Sequence, residues 1–330
     1  MNVLSLFDGM SCGQIALDQL GIPVNKYYAA EIDKYAIQIA RKNYPDMIHL
    51  GDVCNVRTKH NALHAINEDG VGELHEIDLL IGGSPCQGFS FAGKQLNFDD
   101  PRSQLFFEYV RLLEALKPKY FLLENVKMKK ESEQVITEIL GVEPIEINSS
   151  LVSAQNRKRL YWTNIPVDGL PDDKGTVLSD VLEEGATDRE KSYCIDANYW
   201  KGGNLKSYFE KHRRQLVFHT EPKGARIVNR RLDERGKRQD YNTNIKPKPR
   251  LELRYDDKAG CITTVQKDSV VAFDEGVHWR KLTVTECERL QTVPDGYTCG
   301  VSNTQRYKML GNGWTVDVIK HIFEGLKEEA

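Results

Sequence analysis

The stretch GGSPCQGFSFAG (residues 82–93) carries a thiol, Cys86, directly after a proline and among glycines at 82, 83 and 88. The apolar run IDLLI (77–81) leads into it, so the segment reads as a buried strand that ends in a tight turn and presents one cysteine. A free cysteine most often serves as a small buried hydrophobe. A thiolate is also a nucleophile, and the carboxyl ends of strands are where open α/β sheets bind ligands. Two carboxylates stand at comparable places. Glu31, in AAEIDKYA, follows the glycine turn of LFDGMSCGQIALDQLG (6–21) by about twenty residues, where an acid can hold ribose hydroxyls. Asp52, in HLGDVCN, ends a third apolar run and is placed to accept from an adenine amino group. A nicotinamide dinucleotide is the first ligand to consider. Gly9 and Gly13 do not give G-x-G-x-x-G, so no pyrophosphate cradle is evident. The pattern suits a nucleoside without a diphosphate, of which S-adenosylmethionine (SAM) is one.

These groups need a scaffold that brings strand ends together. Apolar runs predict strands at Val3–Phe7, Tyr27–Glu31, Met47–Leu50, Asp78–Ile81, Tyr120–Leu123, Ile145–Asn148 and Leu160–Thr163. Amphipathic stretches around Gln14–Leu20, Lys34–Asn43 and Ser103–Leu116 predict helices between them. Strands alternating with helices imply an α/β fold, a doubly wound and mostly parallel sheet. From residue 166 the texture becomes irregular, punctuated by Pro166, Gly169, Pro171 and Gly175. Helical patterning returns at TVTECERLQTV (283–293) and VDVIKHIFEGLKEEA (316–330). The expected organisation is 1–165 and 279–330 as one large domain, with 166–278 as a smaller, loop-rich one.

Composition limits the function classes. The chain has 330 residues and a net charge of −3, with no apolar run long enough for a transmembrane helix and no basic leader before its first apolar stretch. Its seven cysteines are scattered without a C-x-x-C, which indicates neither a zinc site nor a disulfide framework. The charge is uneven. Residues 201–250 hold fifteen Lys and Arg against five Asp and Glu, a local net of +10, which leaves −13 for the remainder. Such asymmetry suggests a polyanion partner. In RRLDERGKRQDYNTNIKPKPR (230–250) aromatic and amide residues are interleaved with the charge, a mixture suited to phosphate and base contacts.

Read together, six segments resemble the cytosine-5 DNA methyltransferase family, in the family's order: LFDGMSCG, GGSPCQGFS, FLLENV (121–126), QNRKRLYW (155–162), RKLTVTECERLQTVPDGY (280–297) and QRYKMLGNGWTVDV (305–318). The opening and closing segments look most like the vertebrate de novo branch and its phage relatives. Two departures stand out. The first turn has one more residue between its glycines than the commonest form, and Gly313 and Trp314 replace the usual Ser-Val pair.

The resemblance implies a Rossmann-like SAM-dependent fold and a chemistry. C5 of cytosine is a poor nucleophile until a thiolate adds to C6 and makes it enamine-like. By match to the motif, Cys86 is that nucleophile. Glu124 would donate to N3 and accept from the exocyclic amine, so it must be transiently protonated, as a carboxyl at a buried strand end can be. Arg157 and Arg159 would face the cytosine O2 side and help place the acid and the thiol. The base must be flipped out of the duplex, and QGFSFAGKQLNFDDPRS (87–103) reads as a mobile loop that closes over DNA, with Gln87 near the vacated space. SAM would be held by Phe7, Asp8, Gly9 and Ser11 of the first turn, and by Glu31, Ile32, Asp52 and Val53 at the next two strand ends. Pro85, Leu105, Asn312 and Trp314 complete that set. No metal is implied. The region 166–278 would be the target-recognition domain, facing the catalytic side across a cleft.

The resemblance implies double-stranded DNA as partner, with a restriction endonuclease as a possible counterpart, and no membrane. It leaves two other readings. A branch of the same fold methylates cytosine in tRNA, but it has a different residue after Pro-Cys. A non-catalytic regulatory paralogue would lack the set of Cys86, Glu124, Arg157 and Arg159, which is intact here. With no fused reader domain or nuclear signal, a bacterial or phage source and a cytoplasmic, nucleoid-associated protein are expected.

Overall fold

The computed structural model describes residues 1–66, 72–84, 101–219, 223–254, 269–272 and 279–327. Strands run, in chain order, at β1 (Asn2–Leu6), β2 (Lys26–Ala30), β3 (Ile48–Gly51), β4 (Arg57–Lys59), β5 (Ala62–Ile66), β6 (Gly72–His75), β7 (Leu79–Gly82), β8 (Tyr120–Val126), β9 (Ile145–Asn148), β10 (Lys158–Thr163), β11 (Leu216–Phe218), β12 (Lys223–Arg230), β13 (Lys248–Leu253), β14 (Ser269–Ala272) and β15 (Trp279–Lys281). The α-helices are α1 (Cys12–Leu20), α2 (Lys34–Asn43), α3 (Pro101–Leu116), α4 (Lys130–Leu140), α5 (Leu178–Val181), α6 (Leu205–Lys211), α7 (Val284–Leu290), α8 (Asn303–Asn312) and α9 (Val316–Phe323). None of the described helices is long and apolar enough to cross a membrane.

A seven-stranded sheet in the order β3-β2-β1-β7-β8-β10-β9 forms the centre. The pairs from β3 through β8 are parallel, and β10 pairs antiparallel with both β8 and β9. This is the α/β, mostly parallel sheet expected from the alternation. Strand order reverses between β1 and β7, the switch point outside which open sheets hold ligands. The carboxyl ends of β1, β2, β3, β7 and β8 all open onto that side. Apolar side chains of β1, β7 and β8 pack against Phe106, Tyr109 and Leu112 of α3, all fully buried. At Gly13 in α1, a Cβ would come within 2.4 Å of Ile81 Cδ1, so glycine lets this helix lie close on the sheet.

The chain divides into two compact units, the first Met1–Val181, Lys191–Gln215 and Thr283–Ala330, the second Leu182–Glu190 and Leu216–Leu282. Residues 166–181 and 191–215 therefore pack with the first unit, although their texture matches the loop-rich part. Leu178, Ile195, Tyr199 and Tyr208 in these stretches are almost fully buried, while Leu170, Trp200 and Phe209 are exposed. The second unit contains the three-stranded antiparallel sheet β13-β12-β14 and the ribbon β11-β15. It ends at Leu282 rather than 278, because β15 pairs with β11.

Candidate active site

One cavity of about 440 Å³ lies in the first unit, at the carboxyl ends of the parallel strands. Of the residues singled out above, Phe7, Asp8 and Gly9 after β1, Glu31 and Ile32 after β2, and Asp52 and Val53 after β3 line it. Leu105 of α3, Asn312 and Trp314 add the far wall, and Glu124, Arg157 and Arg159 the sheet side. Ser11 is fully buried and does not line the cavity; its hydroxyl donates to Asp8 and reaches Met47 Sδ at 3.5 Å. Pro85, Cys86 and the loop to residue 100 lie outside the described residues. The chain leads into them through Gly83 and Ser84, which do line the cavity.

The first turn has an alternating left-handed backbone, with φ of 57° at Phe7, 61° at Gly9 and 67° at Ser11. A bulky residue such as Phe7 in that region is strained, a feature that collects at ligand clamps. Glu31 fastens the turn. Its Oε2 accepts from Gly9 N at 2.8 Å, and Oε1 from Ile32 N at 2.8 Å and Asp33 N at 2.7 Å. A carboxylate offers about four lone-pair sites, so Oε2 keeps room for a hydroxyl such as a ribose carries. Asp52 Oδ1 caps the turn that follows by accepting from Cys54 N at 3.0 Å. Lys308, within the 305–318 segment but given no role there, lines the same cavity and pairs with Asp33 at 2.7 Å.

Asp8 has a different role from a ligand contact alone. Tyr27 donates to its Oδ1 at 2.8 Å and Ser11 to its Oδ2, tying the turn to β2 and α1. Burial pushes its carboxyl up from the ordinary 3.8 to about 6, against the lowering effect of those hydrogen bonds. The folded state thus holds this proton more tightly than the unfolded chain. Below pH 3.8 both states carry it; as pH rises to about 6 the unfolded state loses it first, so stability declines across that window and stays lower above it. Asp8→Asn is expected to flatten the stability curve between those limits by on the order of 1 kcal/mol. Urea unfolding of both proteins at the two ends of the window checks this; equal slopes would assign the proton to another group.

On the sheet side, alternation explains the arginines. Glu124 on β8 faces Tyr161 across the antiparallel pair with β10, and Arg159 lies two residues from Tyr161 on the same face. Arg159 Nε therefore reaches Glu124 Oε1 at 2.9 Å. Trp314 Nε1 donates to Glu124 Oε2 at 3.2 Å. At Gly83 a Cβ would stand 2.9 Å from that same oxygen, so only glycine leaves the carboxyl its place. Asn125 Nδ2 lies 3.4 Å from Ser84 O and from its hydroxyl.

Arg157 points the same way but ends elsewhere. It is 4% exposed. Its Nη1 donates to Ile195 O at 3.1 Å and lies 3.4 Å from Cys194 Sγ; its Nη2 donates to Gly311 O at 3.2 Å and Gly313 O at 2.9 Å. The guanidinium thus binds the backbone that forms the far wall. Cys194, outside every motif, also lies 4.0 Å from Arg159 Nη2. Among the described residues no group of three or more His, Cys, Asp or Glu is placed to hold a metal ion.

In the second unit the basic block is partly self-neutralised. Glu252 accepts from Arg226 at 3.0 Å and Arg230 at 2.6 Å, and the Arg230 guanidinium leads in holding its carboxyl down at about 2. Asp240 pairs with Arg238 and, at 3.6 Å, with Arg230. Arg231 donates to Ile245 O and Asp240 O. Arg235, Lys237, Lys246, Lys248 and Arg250 are exposed, and their side chains have no partner among the described residues.

Known methyltransferases resemble the chain along nearly its whole length. The type II methyltransferase M1.ScrFI of Lactococcus lactis subsp. cremoris is 30% identical over 347 residues, covering 99% of this chain and 78% of its own. The orphan methyltransferase M.SPRI of Bacillus phage SPR is 26% identical, covering 99% and 97%. Among solved structures, the Entamoeba histolytica methyltransferase EhMeth matches with a TM-score of 0.62 at 16% identity, covering 100% of this chain and 98% of its own, a likeness of fold. The sequence model of the C-5 cytosine-specific DNA methylases matches residues 1–328, from the first strand to the end of the last helical turn, and the chain belongs to that family of enzymes.

Proposed function

We propose that this protein transfers the methyl group of SAM to C5 of a cytosine flipped out of double-stranded DNA, with Cys86 as nucleophile. The observation that carries the reading is the sharing of one cavity by two chemically distinct sets, Glu31 with the strained first turn and Glu124 with Arg159. Its volume lies in the range of small-molecule sites. Phe7, Asp8, Gly9, Glu31, Ile32, Asp52, Val53, Leu105, Asn312 and Trp314 would hold SAM, with Ser11 bracing the turn from behind and Pro85 beyond the described residues. When bound, SAM supplies the electrophilic methyl carbon that C5 takes.

The chain's own groups do the rest. Cys86 adds to C6 and renders C5 nucleophilic. Glu124 donates a proton to N3 and accepts from the exocyclic amine, while Arg159 fixes that carboxyl and faces O2. Loss of the C5 proton and departure of Cys86 complete the cycle. Arg157 acts at one remove, by holding the backbone of 311–313. Glu124→Gln is expected to slow methyl transfer by about a hundredfold with little loss of cofactor affinity, and Glu31→Ala to do the reverse. Loss of SAM affinity in both variants would overturn the division of roles.

The second unit, with the sequence around it, is proposed to recognise the target. Replacing Lys237, Lys246, Lys248 and Arg250 by Gln is expected to flatten the salt dependence of DNA binding, by ~0.9 in the slope of log K against log salt for each phosphate that is no longer neutralised. An unchanged slope would make these residues an ordinary solvated face. A restriction endonuclease counterpart, as a type II enzyme has, or an orphan role are both open to such a protein, and a cytoplasmic, nucleoid-associated location suits either. Bisulfite sequencing of plasmid DNA from cells expressing the protein tests the activity and reads out the site together. Methylation of tRNA but not duplex DNA with labelled SAM would favour the RNA branch instead.

A further inference from the structure

Trp314 stands at one of the two departures from the family's commonest pattern, and its indole bridges the two halves of the cavity. Its Nε1 donates to Glu124 Oε2, while Arg159 Nε meets Oε1. Each carboxyl oxygen thus has its own partner, Oε1 the charged guanidinium from β10 in an ion pair and Oε2 the indole N–H from the turn between α8 and α9 in a hydrogen bond. Gly83 closes a third side, since a Cβ there would lie 3.1 Å from Trp314 Nε1 as well as against the carboxyl. The terminal torsion of a glutamate is broad, so a carboxyl gripped at one oxygen alone keeps rotational freedom. A directional hydrogen bond on the other oxygen removes it.

We infer that Trp314 is a positioning residue for Glu124: its N–H fixes the plane of the carboxyl that meets the base, and does so from the wall of the cofactor cavity. This rests on the proposed role of Glu124. A valine at the position has no donor to offer, so the device belongs to chains with tryptophan there.

Trp314→Phe keeps an aromatic ring and removes the N–H. Methyl transfer to plasmid DNA is expected to slow about tenfold, the worth of a hydrogen bond to a charged acceptor. Affinity for S-adenosylhomocysteine, read by calorimetry, is expected to change less than about threefold, because ring contact with the cavity remains. In a Glu124→Gln background the same replacement is expected to cost less than about twofold, since the carboxyl it orients is gone. Trp314→His, which returns a ring N–H, is expected to recover part of the rate. Equal losses in both backgrounds, or a loss of S-adenosylhomocysteine affinity as large as the loss of rate, or no loss at all, each overturn the inference while leaving Glu124 its role. Full activity of Glu124→Gln alone removes that role, and the inference with it.

Discussion

Cys86→Ala is expected to lower methyl transfer by at least about a thousandfold, while the melting temperature and affinity for S-adenosylhomocysteine stay near wild type. In the proposed role the thiol supplies a bond to C6; Cys12, which also lines the cavity, is a buried thiol that burial pushes up to about 12, so it is not expected to substitute. In the proposed roles Glu124 gives a proton to N3 and Arg159 holds that carboxyl, but neither forms the bond to C6. Cofactor affinity is expected to persist because most groups assigned to it, Glu31 and Asp52 among them, lie on other strand ends, with Glu31 held by its own backbone donors. Retention of even about a tenth of the activity would sink the assignment. A duplex with 5-fluorocytosine at the methylated position, once bisulfite sequencing has located it, tests the same bond directly. Cys86 can add to C6 and C5 can take the methyl, but fluorine cannot leave as a cation, so elimination stops. A SAM-dependent protein–DNA band on a denaturing gel is expected, linked through the peptide containing SPCQGFS and absent for Cys86→Ala. A link through one of the other six cysteines would mean that the nucleophile had been misassigned.

Much of this arrangement is legible in the sequence, because strand ends announce themselves. A short apolar run followed by Asp8, Glu31 or Asp52 fixes both a strand and the residue at its carboxyl end, and a parallel sheet brings such ends together. Arg157, just before β10, and Arg159 within it are two apart, so an extended backbone turns both to one face. What the sequence hides is what each meets there. Arg159 finds Glu124, yet Arg157 finds carbonyls from segments about forty and more than one hundred and fifty residues away, which no local pattern encodes. The bond from Trp314 to Glu124 spans 190 residues and is silent for the same reason. Strand direction is equally silent, since β10 reads alike whether it pairs parallel or antiparallel. The small meander β4-β5-β6 and helix α8 carry too little apolar periodicity to stand out, and α8 is further masked by Gly311 and Asn312 at its end. Summing charge over 201–250 also misleads. Asp240 falls inside that window and Glu252 just outside it, and between them they engage three of its arginines.

Arg157→Met is expected to lower the melting temperature by about 5–10 °C and to weaken S-adenosylhomocysteine binding at least about tenfold. The replacement fills most of the volume but leaves the buried carbonyl of Gly311 without its donor, Ile195 O with only the weak Cys194 thiol at 3.5 Å, and Gly313 O with only Gln291 Nε2 at 3.2 Å. Each such group costs on the order of 1–3 kcal/mol when buried and unpaired. The cofactor effect follows from where those carbonyls lie, since Gly311, Asn312 and Gly313 form one wall of the cavity. Arg157→Lys is expected to recover little, because a single ammonium cannot span both sides as the planar fork does. Arg159→Lys makes the contrast. Its side chain is 14% exposed and pairs with a carboxylate that an ammonium can also meet, so the melting temperature is expected to move by less than about 2 °C while turnover falls by about a hundredfold through the misplaced acid. Calorimetric unfolding, cofactor titration and single-turnover methylation of the three variants separate the effects. If Arg157→Met kept its stability and cofactor affinity but lost turnover, the buried guanidinium would be acting on the base, and the division drawn between the two arginines would be reversed.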